Sequence, residues 1–255
     1  MTTEVILKAL TGIKLIEPGD DLAAIAVDAF VQNGLVPQPQ DVLVVAQKVV
    51  SKAEGRYVDV ANVEPSPRAI ALAAEIDKDP RFVEVVLGES ARVVRHRPGL
   101  LIVEHALGFV MANAGIDHSN VPTLGAVERV LLLPRDPDGS ARALCDHLVR
   151  TFGVPIGVII SDSFGRAWRK GTVGIALGAA GLPAVIDMRG RPDLFGRELR
   201  VTETGFADEI AAAAGLLMGQ ADEALPMVLV RGMAWSAPNA PGASLIRPAE
   251  HDLFR

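Results

Sequence analysis

The chain reads as an α+β protein with mixed or antiparallel sheets and helices packed on them. Three observations predict this: apolar runs of strand length, amphipathic segments with helix caps, and an alternation of the two too irregular for a doubly wound sheet. Asp20 precedes Leu22, Ile25, Ala26 and Phe30, which are apolar at helical spacing, and so predicts a capped helix ending near Gly34. The run Asp41 to Val50, DVLVVAQKVV, reads as a buried strand. Pro67 to Ile76 predicts a short helix that begins with proline. Leu100 to Glu104 and Gly108 to Ala112 predict two strands joined by a tight turn. After the turn-rich DPDG at Asp136 to Gly139, Ser140 is a candidate cap for a helix holding Leu144 and Leu148. Val154 to Ile160 is a further buried strand, Phe206 to Met218 an alanine-rich helix, and Met227 to Val230 a late strand. Ser236 to Pro248, with three prolines and no apolar period, is the least structured stretch.

At 255 residues and 49% hydrophobic content, the chain is long enough for one large domain or two lobes, and no linker or repeat marks a boundary. It is therefore taken as a single unit. A net charge of −6 and a pI near 5.4 argue against a broad nucleic-acid surface, although a local basic cluster still suits a nucleotide. The single cysteine, Cys145, forms neither an internal disulfide nor a thiolate metal site, and a reducing cytoplasm fits this composition. The N-terminus lacks the pattern of a secretory signal. The longest uncharged stretch near the middle, Thr172 to Ile186, is too short to span a membrane and is broken by Gly174, Gly178, Gly181 and Pro183. No membrane association is expected.

Two short runs carry the chemistry: NAGIDHSN at Asn113 to Asn120, and SDSFGRAWRKG at Ser161 to Gly171. Each places an aspartate, Asp117 or Asp162, just beyond an apolar, strand-like stretch. Two carboxylates aimed into a cleft suit a hard divalent cation such as Mg²⁺ or Mn²⁺, which prefers oxygen ligands and bridges protein to phosphate. The second run adds Arg166, Arg169 and Lys170, chemistry for a polyphosphate. An aspartate after a strand is also a common turn residue, and a basic loop is often only a solvated face. The phosphate-binding loop G-x-x-x-x-G-K-[ST], the dinucleotide fingerprint and H-E-x-x-H are absent from the sequence. Ser161 and Ser163 are not in a nucleophile elbow, and His118 reads as a structural or solvent-facing residue.

Seven segments in order resemble the coenzyme F420-0:L-glutamate ligase family, also called coenzyme F420:γ-glutamyl ligase, over nearly the whole chain. They are LIEPGDDL from Leu15, QKVVSKAEGR from Gln47, NAGIDHSN, LLLPRDPDGSA from Leu131, VIISDSFGRAWRKGTVGIALG from Val158, GRELRVT from Gly196 and ADEIAAAAGLLMGQ from Ala207. The resemblance implies an α+β fold forming an intertwined homodimer. It also implies a GTP-dependent amide ligase that joins L-glutamate to the lactyl carboxylate of coenzyme F420-0, then a further glutamate through a γ-glutamyl link. The ions implied are Mg²⁺ or Mn²⁺, two per site, with K⁺ in addition. Some relatives carry a C-terminal reductase-like domain; this chain is expected to carry the ligase part alone.

By the same resemblance, Asp117 and Asp162 hold one metal, while Ser163 and Gln220 contribute to a second. Ser163 stands where some relatives have threonine, which keeps the hydroxyl ligand, whereas Gln220 is neutral where some have glutamate, which weakens the second site. Lys14, Leu15, Ile16, Glu17, Lys52 and Asn120 occupy GTP-contacting positions, and Gln47 and Lys48 stand where relatives carry small hydroxyl residues. Arg166 and Lys170 take a catalytic role toward phosphate or acidic substrate. Trp168 either stacks on the flat deazaflavin or plugs the loop against the core. The same carboxylates also suit a metal-dependent phosphohydrolase, and the same cations a non-catalytic GTP-binding protein.

Overall fold

The computed structural model describes residues 4–122 and 128–253. In chain order its elements are β1 (Ile6–Ala9), α1 (Leu22–Gln32), β2 (Val42–Ala46), α2 (Gln47–Ala53), β3 (Tyr57–Asp59), α3 (Pro67–Ile76), α4 (Pro80–Gly88), β4 (Ser90–Arg97) and β5 (Leu100–His105). They continue with β6 (Val110–Ala112), β7 (Arg129–Leu131), α5 (Pro137–Phe152), β8 (Gly157–Gly165), β9 (Thr172–Ala180), β10 (Ile186–Asp187), β11 (Glu203–Thr204), α6 (Phe206–Met218) and β12 (Met227–Arg231). The fold is α+β, as the irregular alternation predicts.

A five-stranded mixed sheet with the order β1-β12-β2-β8-β9 forms the larger part, and within it only β2 and β8 pair in parallel. Because β1 lies two antiparallel steps from β2, the strands β1, β2 and β8 all run the same way. Their carboxyl ends open on one edge, where open sheets present their ligand sites. The central strands β12, β2 and β8 are apolar on both sides and so lie between helices. Leu43, Val45, Val158 and Ile160 join Phe30 of α1 and Leu148 of α5, whereas Val42, Val44, Ile159 and Val228 join Ile210 and Ala214 of α6. Each fully buried Leu, Ile or Val contributes about 1.5–3 kcal/mol.

A second cluster packs α3 and α4 against the antiparallel sheet β4-β5-β6, through Ile76, Phe82, Val86, Leu101 and Val103. Phe109, Met111, Leu133 and Leu177 bridge this cluster to the large sheet. The close approach of α5 to β9 explains one glycine of the 171–181 run: a Cβ on Gly178 would lie 2.3 Å from the Pro137 carbonyl. That glycine serves packing.

Several sequence expectations are corrected by physical detail. Asp21, not Asp20, caps α1 by accepting from the Ala23 and Ala24 N–H groups, while Asp20 accepts from Lys14 and Glu17. The expected strand at 41–50 ends at Ala46, and Gln47 turns directly into α2. Asp136 caps α5 through the Gly139 N–H, and Ser140 inside that helix bonds Glu54 instead. The strand expected to end at Ile160 continues to Gly165, so Asp162 lies within β8 and not beyond it. The 236–248 stretch is also tied down. Asp138 accepts from the N–H groups of Gly242 and Ala243, and the Ala240 N–H reaches the Leu182 carbonyl.

Under the second cluster lies a charged group with a pH consequence. Glu89 Oε2 is 2.7 Å from Arg56 and 3.6 Å from Nε2 of His105, whose Nδ1 accepts from the Leu107 N–H. His105 and then Arg56 hold the Glu89 carboxyl below its usual range, against the opposing effect of burial. A carboxyl with a lowered folded pKa adds stability above the unfolded value, about 4.3, and loses it as pH falls through the folded one. Glu89→Gln is therefore expected to lower the urea midpoint at pH 7, with the gap to wild type closing in acid. An equal gap at pH 7 and pH 3 would remove this role from Glu89.

Candidate active site

The candidate site forms at the carboxyl edge of the parallel strands, from segments distant in sequence. Asp162 is carried by β8, whose pairing with β2 and β9 fixes its backbone. Asp117 follows β6 and a short 3-10 turn, Asn113–Gly115, and is pinned by reciprocal 2.9 Å backbone bonds with Leu131. The helix α2 leaves β2 at the same edge. It turns Gln47, Lys48, Ser51 and Lys52 toward one side by the helical i, i+4 repeat.

Gln47 Nε2 donates to Asp117 Oδ2 at 2.6 Å, and the Lys48 ammonium lies 3.2 Å from Asp117 Oδ1 and 2.9 Å from Ser119 Oγ. Burial raises the Asp117 carboxyl above its usual range, with Lys48 and Gln47 opposing the rise. Asp162 is pushed up to about 7, by burial first and by the Asp117 carboxylate second; the Ser163 N–H opposes this from 2.8 Å. The two carboxylates are thus both desolvated and close enough for the Asp117 charge to raise Asp162, a coupling that a bound cation would relieve. Next along β8, Ser163 Oγ donates to Gln220 Oε1 at 2.7 Å, which adds a hydroxyl and an amide oxygen, both hard donors. A donor set of two carboxylates, a hydroxyl and an amide carbonyl fits Mg²⁺ or Mn²⁺. Among the described residues, no group of three or more His, Cys, Asp or Glu forms a metal cluster, so an ion held here would draw its other ligands from such neutral oxygens, water or substrate.

Lys52 is half-buried one helical turn beyond Lys48. Burial first, and Lys48 second, lower its pKa, with Asp117 opposing. No hydrogen bond or salt bridge to its ammonium is found among the described residues, which leaves it available to an anion. Asn120, with φ of 58°, donates from Nδ2 to the Ala221 carbonyl and joins the 117–120 segment to the loop carrying Gln220.

The other residues expected from sequence are placed less centrally. Lys14 is bound to Asp20 at 2.6 Å, Leu15 and Glu17 are exposed, and the Ile16 side chain is buried in the core. This loop reaches the end of α2 through the Gly19 N–H bond to the Ala53 carbonyl. Arg166 donates to the Gly171 carbonyl at 3.1 Å, closing the β8–β9 turn that exposes Arg169 and Lys170. It also lines a surface cavity of about 400 Å³ with Asp208 and Glu209. Trp168 is 87% exposed, which removes its reading as a plug against the core. His118 packs against Phe82 with 4.7 Å between ring centroids and the planes tilted by 47°, and lies 3.3 Å from Glu128.

Sequence reasoning missed Ser51 and Ser119 and gave Gln47 and Lys48 no partner. A period of three to four over QKVVSK was the available signal, because a helix gathers Gln47, Lys48, Ser51 and Lys52 whereas a strand disperses them.

Residues 12–232 match the family model described as F420-0:Gamma-glutamyl ligase. The chain is 43% identical to the coenzyme F420:L-glutamate ligase of Methanothermobacter thermautotrophicus, over 98% of each chain. It is 46% identical to the enzyme of that name from Methanopyrus kandleri, over 94% of this chain and 93% of the relative. With that of Natronomonas pharaonis it shares 44% identity over 97% and 93%. A matched model spanning most of the sequence, and near-full-length relatives at this identity, establish that the chain belongs to the F420-0:gamma-glutamyl ligase family.

Proposed function

We propose that this protein is a coenzyme F420:L-glutamate ligase. In this reading it uses GTP to join L-glutamate to the lactyl carboxylate of coenzyme F420-0, and then adds a further glutamate through a γ-glutamyl link. The observation that carries the chemistry is the meeting of Asp117 and Asp162 beside Lys48, Lys52 and the Ser163–Gln220 pair.

A carboxylate does not react with an amine until one of its oxygens becomes a leaving group. Transfer of the γ-phosphoryl of GTP to that oxygen gives an acyl phosphate and GDP. The glutamate amine then attacks the carbonyl carbon, expels inorganic phosphate and loses a proton. Such a path asks for alignment and charge neutralisation and needs no nucleophilic side chain. Divalent Mg²⁺ or Mn²⁺, when bound, supplies charge neutralisation at the phosphates. Asp117 and Asp162 would hold one ion, and Ser163 and Gln220 would contribute to a second. Lys52 meets the polyphosphate as a point charge, and Arg166 and Lys170 face the anionic substrate from the β8–β9 turn. The Lys14 to Glu17 loop and Asn120 border the nucleotide.

The test mixes protein, GTP, Mn²⁺, L-glutamate and coenzyme F420-0 and follows mass. Glutamyl increments matched by GDP and phosphate are expected. Phosphate released equally without glutamate and coenzyme F420-0 would favour a phosphohydrolase, and GTP bound without turnover a non-catalytic protein. For the nucleotide contact, Lys52→Ala is expected to weaken GTP binding by about 1–3 kcal/mol, the worth of a charge-assisted hydrogen bond. Unchanged affinity by calorimetry would return Lys52 to a surface role.

The active species in this reading is a homodimer. Its support is an arm between β10 and β11 on which Leu194, Phe195 and Val201 are 99%, 86% and 85% exposed, far more apolar surface than a free loop needs. Light scattering behind a sizing column should give twice 26.9 kDa, with a melting temperature that falls on dilution. A monomer whose melting is independent of concentration would count against it.

A further inference from the structure

The residue at position 47 has no function in the reading above, yet it is among the most deeply buried polar side chains of the chain's described residues. Gln47 is 1% exposed and Ser51, one helical turn further on, is 0% exposed. Ser51 Oγ donates to Gln47 Oε1 at 2.9 Å, and Gln47 Nε2 donates to Asp117 Oδ2 at 2.6 Å. An amide carbonyl turned toward Asp117 would be repelled, so the amino group faces the carboxylate and the carbonyl faces the serine. The chain Ser51–Gln47–Asp117 therefore runs in one sense. It leaves the two oxygens of Asp117 unequal: Oδ2 is held by a neutral donor, and Oδ1 faces the positive charge of Lys48 at 3.2 Å.

We propose that Gln47 is the positioning residue of this site: locked by Ser51, its amide fixes the orientation in which the Asp117 carboxylate meets a divalent cation. This rests on the metal reading of Asp117 given above. The residue type follows from the task. A buried carboxylate needs a donor to hold its orientation, and with Lys48 already 3.2 Å from Oδ1 a second cation in place of Gln47 would offset its charge further. A glutamine orients Oδ2 without adding to that neutralisation. Its stem is long enough to reach from the start of α2, and Ser51 at i+4 lies one helical turn on, where its short hydroxyl meets the Gln47 carbonyl. Hydrogen-bond partners of metal ligands typically change metal affinity by about 10- to 100-fold when removed.

The experiment reads Mn²⁺ binding directly, from the electron paramagnetic resonance signal of free Mn²⁺ titrated with protein in the absence of nucleotide. Gln47→Met keeps the volume and removes both hydrogen bonds; it is expected to weaken Mn²⁺ binding by about 10- to 100-fold. Ser51→Ala should weaken it in the same direction by less, and Ser51→Thr, which retains the hydroxyl, should restore it. In an Asp117→Asn background, Gln47→Met should change Mn²⁺ affinity little, because its effect passes through that carboxylate. A folded Gln47→Met protein with Mn²⁺ affinity within twofold of wild type, or full additivity with Asp117→Asn, overturns the proposal. If Gln47→Met does not fold, Ser51→Ala decides, and unchanged affinity in it overturns the proposal equally. Absence of Mn²⁺ binding by the wild type would instead sink the metal reading, and this inference with it.

Discussion

Asp162→Asn is expected to lower ligase turnover by at least about a hundredfold, a loss of about 2.7 kcal/mol of transition-state stabilisation, while leaving the fold intact or more stable. The two halves of this prediction have one cause. Asp162 is a desolvated carboxylate beside a second carboxylate, an arrangement unfavourable to folding that the proposed cation would offset. Asparagine has the same shape and hydrogen-bonding reach, removes the repulsion with Asp117, and abolishes half of the anionic charge. Asp117→Asn should lose activity to a similar degree. Its stability change should be smaller, because Lys48 already offsets part of that charge. Turnover measured by product mass, paired with a thermal melt of the same preparations, checks both halves. Wild-type-like turnover in either variant would remove the carboxylate pair from the chemistry.

Arg231→Met is expected to destabilise the fold by about 3–5 kcal/mol without touching the site. Arg231 closes β12 at the opposite end of the large sheet and binds Asp41 through both Nε and Nη2, at 2.9 and 2.6 Å. Asp41 is 1% exposed, and its remaining side-chain bond is one accepted from the Gln38 N–H. Methionine replaces the stem of the arginine but not its charge, so a buried carboxylate is left with a single neutral donor. The cost is that of the unpaired charge and not the net worth of the pair, so replacing both residues by apolar ones of similar volume should recover much of it. Urea unfolding of the single and double variants measures this. A single variant within about 1 kcal/mol of wild type would mean that water or the chain compensates Asp41.

Much of the fold was legible because apolar period and caps are local signals. The helices at 67–76 and 206–218, the paired strands near 100–112 and the late strand at 227 stand where the pattern placed them. The strand β4, SARVVRHR, was not legible, since neither of its faces is buried deeply enough to impose alternation. The strand β9 was hidden by its glycines and alanines, which the approach of α5 and α6 requires. The helix α4, PRFVEVVLG, carries its caps in plain view but only two turns of period.

Asp117 and Asp162 could be marked from sequence as carboxylates near strand ends, because residue type and local context suffice for that. Their meeting could not, for they are brought together by the β2–β8 pairing and the Asp117–Leu131 bridge, contacts between segments far apart in the chain. The same holds for α2. Val49 and Val50 suit a buried strand as well as a buried helix, so local composition left Gln47 to Lys52 undecided. Packing against the sheet selected the helix, and with it the face on which Gln47, Lys48, Ser51 and Lys52 meet the carboxylates. Sequence alone thus determined the fold class and the donor types available. Tertiary structure decided which donors come together and which of them are desolvated, because burial and Coulomb coupling depend on distance in space and not along the chain.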